Sequence, residues 1–194
     1  MIRLTRIAKQ RSGSAVLHFD TGDRLNVPKR VVNQLDLEED EFYDLGDLEN
    51  EVFEEAAEIL PERAREYLAR YPKTSAEFID HFTRKGYPET LVKGELDALR
   101  EEGFLDDRKV ARQHIRRRAE KKHYGRYKIL AELKEKGIPK NEAQDLLHEL
   151  YPPSAERERA REYARQNDDL EKRKLASRLE NRGFSSSVIG EVLD

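Results

Sequence analysis

The sequence predicts a mainly α-helical protein whose tandem three-helix repeats form an elongated curved array, preceded by a small β-rich extension at the N-terminus. A glycine-centred pattern recurs three times after residue 60, whereas residues 1–30 show the apolar–polar alternation of strands. Charged residues make up 40% of the 194 positions and hydrophobic residues 37%, and an average globular domain is only about 25% charged. This composition favours thin helical layers with solvated outer faces over one thick core.

The N-terminal extension covers residues 1–60. Apolar and polar residues alternate on either side of a turn at Asp20–Asp23, which predicts a β-hairpin. Residues 31–60 contain twelve acidic residues and no basic ones, and we expect a short helix, an acidic loop and a second helix there. The apolar residues of that second helix recur at helical spacing: Val52, Phe53, Ala56, Ile59 and Leu60.

Three glycines, Gly86, Gly137 and Gly183, mark the same point in three successive repeats. A basic residue precedes each glycine, an apolar or aromatic residue follows it, and apolar residues stand four and eight positions before it. Apolar residues four apart form the buried stripe of one helix, and a glycine in the left-handed conformation ends that helix. The stripe residues are Phe78 and Phe82, Ile129 and Leu133, and Leu175 and Leu179. The predicted repeats cover residues 61–103, 104–152 and 153–194.

The second repeat carries most of the positive charge. Residues 108–140 contain thirteen basic residues and three acidic ones, an excess that indicates a polyanionic ligand. In the first helix of this repeat, Ala111, Ile115 and Ala119 form the predicted buried stripe, so the basic residues point outward with too few acidic neighbours to pair with. The candidate residues for binding DNA or a protein–DNA filament are Arg108, Arg112, Arg116, Arg117, Arg118, Lys121, Lys122, Arg126 and Lys128.

Two tyrosines stand inside this basic block. Tyr124 and Tyr127 are neighbours of Arg126 and Lys128, and aromatic rings beside cations are typical of sites where the bases of a single strand stack. For Tyr127 the alternative is a place in the hydrophobic core. The spacing does not decide between these two positions.

Several classes of function have no support in the sequence. There is no cysteine, no GxGxxG, GxxxxGKS/T or GxSxG motif and no paired histidine spacing, so we expect no catalytic residue, no metal and no cofactor. Asp106 and Asp107 are expected to cap a helix and not to bind a metal. No apolar run reaches the roughly 18 residues of a membrane span, and the N-terminus is unlike a signal peptide. We therefore expect a monomeric, cytoplasmic protein that does not contact membranes.

The order and spacing of these residues are similar to those of the RecX family. In the second repeat the matching residues are Leu105-Asp106-Asp107, Ala111, Gly125, Ile129, Glu132-Leu133 and Lys136-Gly137-Ile138. The segment from Lys174 to Phe184 resembles the C-terminal repeat of the family, and the N-terminal strands resemble the extension of its longer members. The resemblance covers nearly the whole chain. Its one departure is Val110, where an aromatic residue is more usual.

This resemblance implies a non-enzymatic regulator of the RecA recombinase that binds in the groove of the RecA–single-stranded-DNA filament. Such a protein impedes strand exchange, ATP hydrolysis and the co-protease role of the filament, and so acts in homologous recombination, DNA repair and the SOS response. The expected partners are the RecA filament and single-stranded DNA, with duplex DNA as a further ligand. The alternative is a stand-alone DNA-binding or architectural module that needs no recombinase. An enzyme, such as a nuclease using the acidic segment, ranks third.

Overall fold

The computed structural model describes residues 1–194, which divide into two compact units, Met1–Leu105 and Asp106–Asp194. Four strands and eleven helices are distributed between them. The first unit combines a sheet with helices, and the second is entirely helical. The prediction of a mainly helical repeat protein with a small N-terminal β-region is confirmed. No helix in either unit is both long and apolar enough to cross a membrane.

The N-terminal strands form one antiparallel sheet. Its strands are β1 (Ile2–Lys9), β2 (Ser14–Phe19), β3 (Arg24–Pro28) and β4 (Phe42–Tyr43), in the spatial order β3-β2-β1-β4. Leu17 in β2 pairs with Ile7 on one side and Leu25 on the other, and its side chain is fully buried. The predicted hairpin alternation therefore places its apolar face in the core. The sequence does not predict β4, because two residues are too few to show an alternation.

Five helices complete the first unit: α1 (Lys29–Gln34), α2 (Leu45–Arg70), α3 (Ser75–Arg84), α4 (Glu89–Gly94) and α5 (Leu96–Glu101). The longest, α2, passes through residue 60 without a break, so the second predicted helix of the extension and the first helix of the first repeat are one helix. Its buried residues keep a four-residue spacing from Leu48 to Leu68, which makes one continuous apolar stripe. Phe53 lies one position off this stripe, about 100° around the helix, and is 43% exposed.

Six helices form the second unit: α6 (Asp107–Lys122), α7 (Arg126–Glu135), α8 (Lys140–Leu150), α9 (Pro153–Arg165), α10 (Lys172–Asn181) and α11 (Ser186–Leu193). They bury two hydrophobic clusters, one that includes Ile129 and Leu133 and another that includes Leu175 and Leu179. The stripe residues predicted before all three repeat glycines are buried. Asp106 caps α6, since its carboxylate accepts a hydrogen bond from the Lys109 N–H at 2.8 Å.

The three repeat glycines end helices as predicted. Their φ angles are +89° at Gly86, +79° at Gly137 and +81° at Gly183, in the left-handed region that residues with a Cβ atom avoid. Gly86 has a second constraint, because a Cβ atom there would lie 2.4 Å from the carbonyl carbon of Val27 in β3. The turn after α3 therefore packs directly on the backbone of the sheet.

Gly183 makes the same kind of contact inside the second unit. A Cβ atom at this position would lie 2.4 Å from the backbone nitrogen of Lys128 in α7. The N–H groups of Gly125 and Tyr127 donate to the carbonyls of Arg182 and Gly183, with N···O distances of 2.8 and 3.1 Å. Backbone donors without a partner inside α7 thus meet carbonyl groups that α10 leaves free, and this exchange joins the two helix ends.

Replacement of Gly183 by alanine is expected to lower the free energy of unfolding by at least about 1–2 kcal/mol, because alanine disfavours the left-handed conformation and its Cβ atom overlaps α7. The control is Gly190→Ala in α11, where a Cβ atom has nothing within 4 Å. That change should be neutral or should stabilise by up to about 1 kcal/mol, since alanine favours helix. Urea denaturation measures both variants, and equal effects at the two positions would contradict the backbone contact.

Candidate nucleic-acid interface

One side of α6 faces the core, and the rest of the helix surface is cationic. Ala111, Ile115 and Ala119 are buried, as the sequence predicts. Four basic residues in the second half of the helix are exposed and form no ion pair with any carboxylate of the protein: Arg116, Arg117, Lys121 and Lys122. Glu120 is the single acidic residue among them. We call these four residues the α6 cationic face.

Two of the predicted binding residues face α8. Arg112 donates to both carboxylate oxygens of Glu149, with N···O distances of 2.8 and 2.9 Å, and Arg108 Nη2 lies 3.9 Å from the same carboxylate. The expectation that the cations of α6 lack acidic partners is therefore wrong for Arg112. Glu149 stands 37 residues further along the chain, so a count of charges within the basic block does not include it.

The prediction that Arg118 points outward is wrong, because it belongs to a partly buried cluster between α6 and α7. Its Nε lies 2.7 Å from Glu132 Oε2, and His114 Nε2 donates to the same oxygen at 2.7 Å. Burial lowers the pKa of His114, and the hydrogen bond to Glu132 opposes that shift. The lowered pKa favours the neutral histidine at pH 7. The cluster joins α6 to α7, and Arg118 is engaged within the fold and is not a free surface cation.

Arg126 holds the end of α8. Its guanidinium donates to the carbonyl of Leu147 at 3.0 Å and also to the carbonyl of Tyr151, two acceptors at a helix C-terminus. Its backbone N–H donates to Glu156 Oε1 at 2.8 Å. Burial raises the pKa of Glu156, and this hydrogen bond from Arg126 works in the opposite direction. The side chain of Arg126 is thus occupied within the fold.

The two candidate tyrosines lie in different environments. Tyr124 is half-buried and surrounded by cations: Lys128 Nζ lies 4.3 Å from its ring centroid, and the guanidinium carbons of Arg118 and Arg182 lie 5.5 and 5.8 Å away. Tyr127 is 65% exposed on the surface of α7. The alternative that this ring lies in the hydrophobic core is therefore excluded. Of the two rings, only that of Tyr127 is free to stack on a base.

Arg182 extends the basic surface from the end of α10, and the charge pattern of the second repeat does not identify it. Its guanidinium carbon lies 4.2 Å from the ring centroid of Tyr163, and the group donates to the Lys122 carbonyl at the end of α6. The available signal is its position before Gly183, which the basic residue also occupies in the other two repeats. That position predicts that Arg182 lies at a helix C-terminus, but it does not predict the hydrogen bond that Arg182 donates to the end of α6.

Comparison with known proteins identifies the family. The family model described as RecX, second three-helix domain, matches residues 106–147. A regulatory protein RecX from Mycolicibacterium smegmatis is 31% identical over 133 residues, which cover 62% of this chain and 70% of the relative. A regulatory protein RecX from Prosthecochloris aestuarii is 32% identical over 136 residues, which cover 68% and 89%. The chain belongs to the RecX family. Its relatives in this family are named regulatory proteins, and the chain shares that general role.

Solved structures of the RecX family share the fold. The crystal structure of a regulatory protein RecX aligns with 99% of this chain and 98% of its own, with a TM-score of 0.63 and 23% identity. The structure of RecX from Lactobacillus salivarius aligns with 71% of this chain and 94% of its own, with a TM-score of 0.62 and 21% identity. The first of these alignments includes the N-terminal sheet as well as the helical repeats.

Replacement of Glu132 by alanine should lower the free energy of unfolding by about 1–3 kcal/mol, because His114 loses its hydrogen-bond acceptor and Arg118 loses its ion-pair partner in a partly buried site. The pKa of His114 should fall further, since Glu132 raises it. Chemical denaturation measures the first effect, and titration of the histidine ring by NMR measures the second.

The matched control is Glu135→Ala, an exposed residue of the same helix without an ion pair. It should change stability by less than about 0.5 kcal/mol. A His114 pKa that is the same in the Glu132 variant and the wild type would show that the cluster does not form in solution.

Proposed function

We propose that this chain binds the RecA–single-stranded-DNA filament through the α6 cationic face and regulates it, mostly by inhibiting its recombinase, ATPase and co-protease activities. The observation that carries the proposal is a set of exposed cations that the fold itself leaves unpaired. Membership of the RecX family supports the regulatory part of the proposal. The proposed role is that of a monomeric, cytoplasmic binding protein without a catalytic step.

Unpaired cations are well suited to a polyanion. Arg117 and Lys121 stand one turn apart, about 6 Å along the helix axis, and Arg116 and Lys122 continue the positive surface on either side of them. No ion pair has to be broken before these side chains contact phosphates, and each phosphate that they neutralise releases counterions condensed on the nucleic acid. The contact is therefore expected to weaken strongly as salt rises.

The remaining candidates contribute less to the proposed contact. Arg112 must give up a bidentate pair with Glu149 before it binds a phosphate, and such charge-assisted pairs are strong. Arg118 and Arg126 are engaged with α7 and α8, and Lys128 lies over Tyr124. These residues position the helices that present the cationic face.

A second candidate function is that of a stand-alone DNA-binding module. The exposed ring of Tyr127 favours it, because a free aromatic side chain near cations can stack on the bases of a bare strand. The two functions differ in the tight-binding ligand. Filament regulation requires tighter binding to recombinase-coated DNA than to naked DNA, and the stand-alone module requires naked DNA to be sufficient.

The triple variant Arg116→Ala, Arg117→Ala, Lys121→Ala should bind the coated strand more weakly at low salt and should relieve inhibition of recombinase ATP hydrolysis. The salt slope of its single-strand binding should fall by up to about two units, since each phosphate contact contributes about 0.7. Its stability should change by less than about 0.5 kcal/mol per residue, because the side chains are exposed. Titrations against naked single-stranded DNA and against the same strand coated with RecA and an ATP analogue measure the binding.

The matched control removes three exposed, unpaired cations from the third repeat: Arg161, Arg165 and Lys172. This Arg161→Ala, Arg165→Ala, Lys172→Ala variant should inhibit as the wild type does. If the α6 variant folds normally and still inhibits at wild-type concentrations across the salt range, the α6 cationic face is a solvated surface and the proposal is wrong.

A further inference from the structure

A cleft of about 210 Å³ opens in the first unit. It lies between the turn that joins β1 to β2, the last turns of α2 and the end of α3. Its residues are not part of the repeat that carries the α6 cationic face. The cleft is open on one side, so a ligand can enter it without rearrangement of the fold.

Positive charge dominates the lining of this cleft. Four basic side chains line it, those of Arg30, Arg63, Arg70 and Lys85, against one carboxylate, that of Glu66. Glu66 pairs with Arg63 at 2.9 Å, whereas the other three cations have no carboxylate partner. Unpaired cations around a concave surface concentrate positive potential within it. The cleft is therefore suited to an anion.

Lys85 is directed into the cleft by the backbone on which it lies. A Cβ atom at Gly13 would lie 3.3 Å from Lys85 Nζ, so the ammonium group rests over the turn between β1 and β2. Lys85 is half-buried and precedes Gly86, whose turn packs on β3. The backbone of Lys85 is therefore held by the same close contact that joins α3 to the sheet.

Aromatic rings form the other part of the lining. Tyr67 and His81 stack with centroids 3.9 Å apart and planes inclined by 13°, and Phe82 meets Tyr67 edge-on at 5.7 Å. Burial and the neighbouring cation Lys85 lower the pKa of His81 to about 4, so its ring is neutral at pH 7. Tyr71, one turn beyond Tyr67 and 5.8 Å from it, is 58% exposed. It presents a free aromatic surface beside the unpaired cations.

We propose that this cleft binds one nucleotide, whose base stacks on Tyr71 and whose phosphate is held by Arg30, Arg70 and Lys85. A planar base and a phosphate match the two kinds of group that line the cleft, an exposed ring and unpaired cations. The volume is below the roughly 300–1,000 Å³ of sites that enclose drug-sized ligands, so the cleft takes up the phosphate end of the nucleotide and the base lies on the exposed ring of Tyr71. The nucleotide comes either from solution or from a single strand, and the inference is independent of the function proposed for α6.

The test uses the full chain with the α6 triple alanine variant as background, so that strand binding through α6 does not mask the cleft. The ligands are adenosine 5′-monophosphate, a short single-stranded oligothymidylate, inorganic phosphate and a polyglutamate peptide. Binding is followed by chemical-shift changes of the backbone amides of Tyr71, His81 and Lys85 and by the dissociation constants. Binding of the filament through α6 is measured separately, with the wild-type α6 cationic face. If that binding fails, the result for the cleft still stands.

Tyr71→Ala should weaken nucleotide or strand binding about five-fold or more, the usual effect of losing one base–aromatic stack, and Tyr71→Phe should retain it. The double variant Arg30→Ala, Arg70→Ala should weaken binding and reduce its salt slope. The controls are Phe53→Ala and the double variant Arg6→Ala, Arg24→Ala, exposed residues of the same unit outside the cleft, and they should leave affinity within two-fold, about the effect of a distant charge.

The source of the nucleotide follows from the two ligands that contain a base. Shifts in the cleft with the monophosphate indicate a free nucleotide, and shifts with the oligothymidylate alone indicate a strand. The proposal is overturned if neither ligand shifts the cleft amides, if inorganic phosphate or polyglutamate binds there as tightly, or if Tyr71→Ala binds as the wild type does. Circular dichroism of each variant confirms that it is folded.

Discussion

The contact between Gly183 and the start of α7 determines how the second unit is arranged. A Cβ atom added at Gly125 would overlap the backbone of Gly183, and one added at Gly183 would overlap the backbone of Lys128. The N–H groups of Gly125 and Tyr127 donate to carbonyls at the end of α10. The positive end of one helix thus meets the negative end of another. Because α7 is fixed in this way, its residues Glu132 and Leu133 are fixed as well, and their contacts with Arg118 and the buried stripe of α6 orient that helix.

The cations of α6 divide according to the carboxylates that the other helices bring to them. Glu149 pairs with Arg112, and Glu132 contacts both Arg118 and His114. A cation that faces the protein loses water, and pairing with a carboxylate offsets that loss. The cations that point away from α7 and α8 keep their water and need no partner. The free surface of α6 is therefore a consequence of which carboxylates the fold places nearby, and the number of basic residues alone does not define it.

The features that the sequence predicts correctly are local. The stripes before the repeat glycines, the left-handed turns and the Asp106 cap each depend on residues within about one or two helical turns. The sequence does not predict the continuity of α2, which contains Pro61, a residue type that more often marks a helix end. The acceptor of Arg112 lies 37 residues away in sequence, and the two carbonyls that accept from Arg126 at the end of α8 lie 21 and 25 residues away. Local charge patterns contain no information about such distant partners.

The basic residue before each repeat glycine shows how one structural position acquires different chemistry. The helix dipole favours a cation there in every repeat, and this common role explains why the pattern recurs. The side chain of this basic residue has different neighbours in different repeats. Arg182 lies on Tyr163 and donates to the end of α6, whereas Lys85 extends over the turn at Gly13 into a cleft with unpaired arginines. A repeat in sequence therefore predicts a repeated helix end, and the surroundings of that end decide whether its cation stabilises the fold or is free to bind an anion.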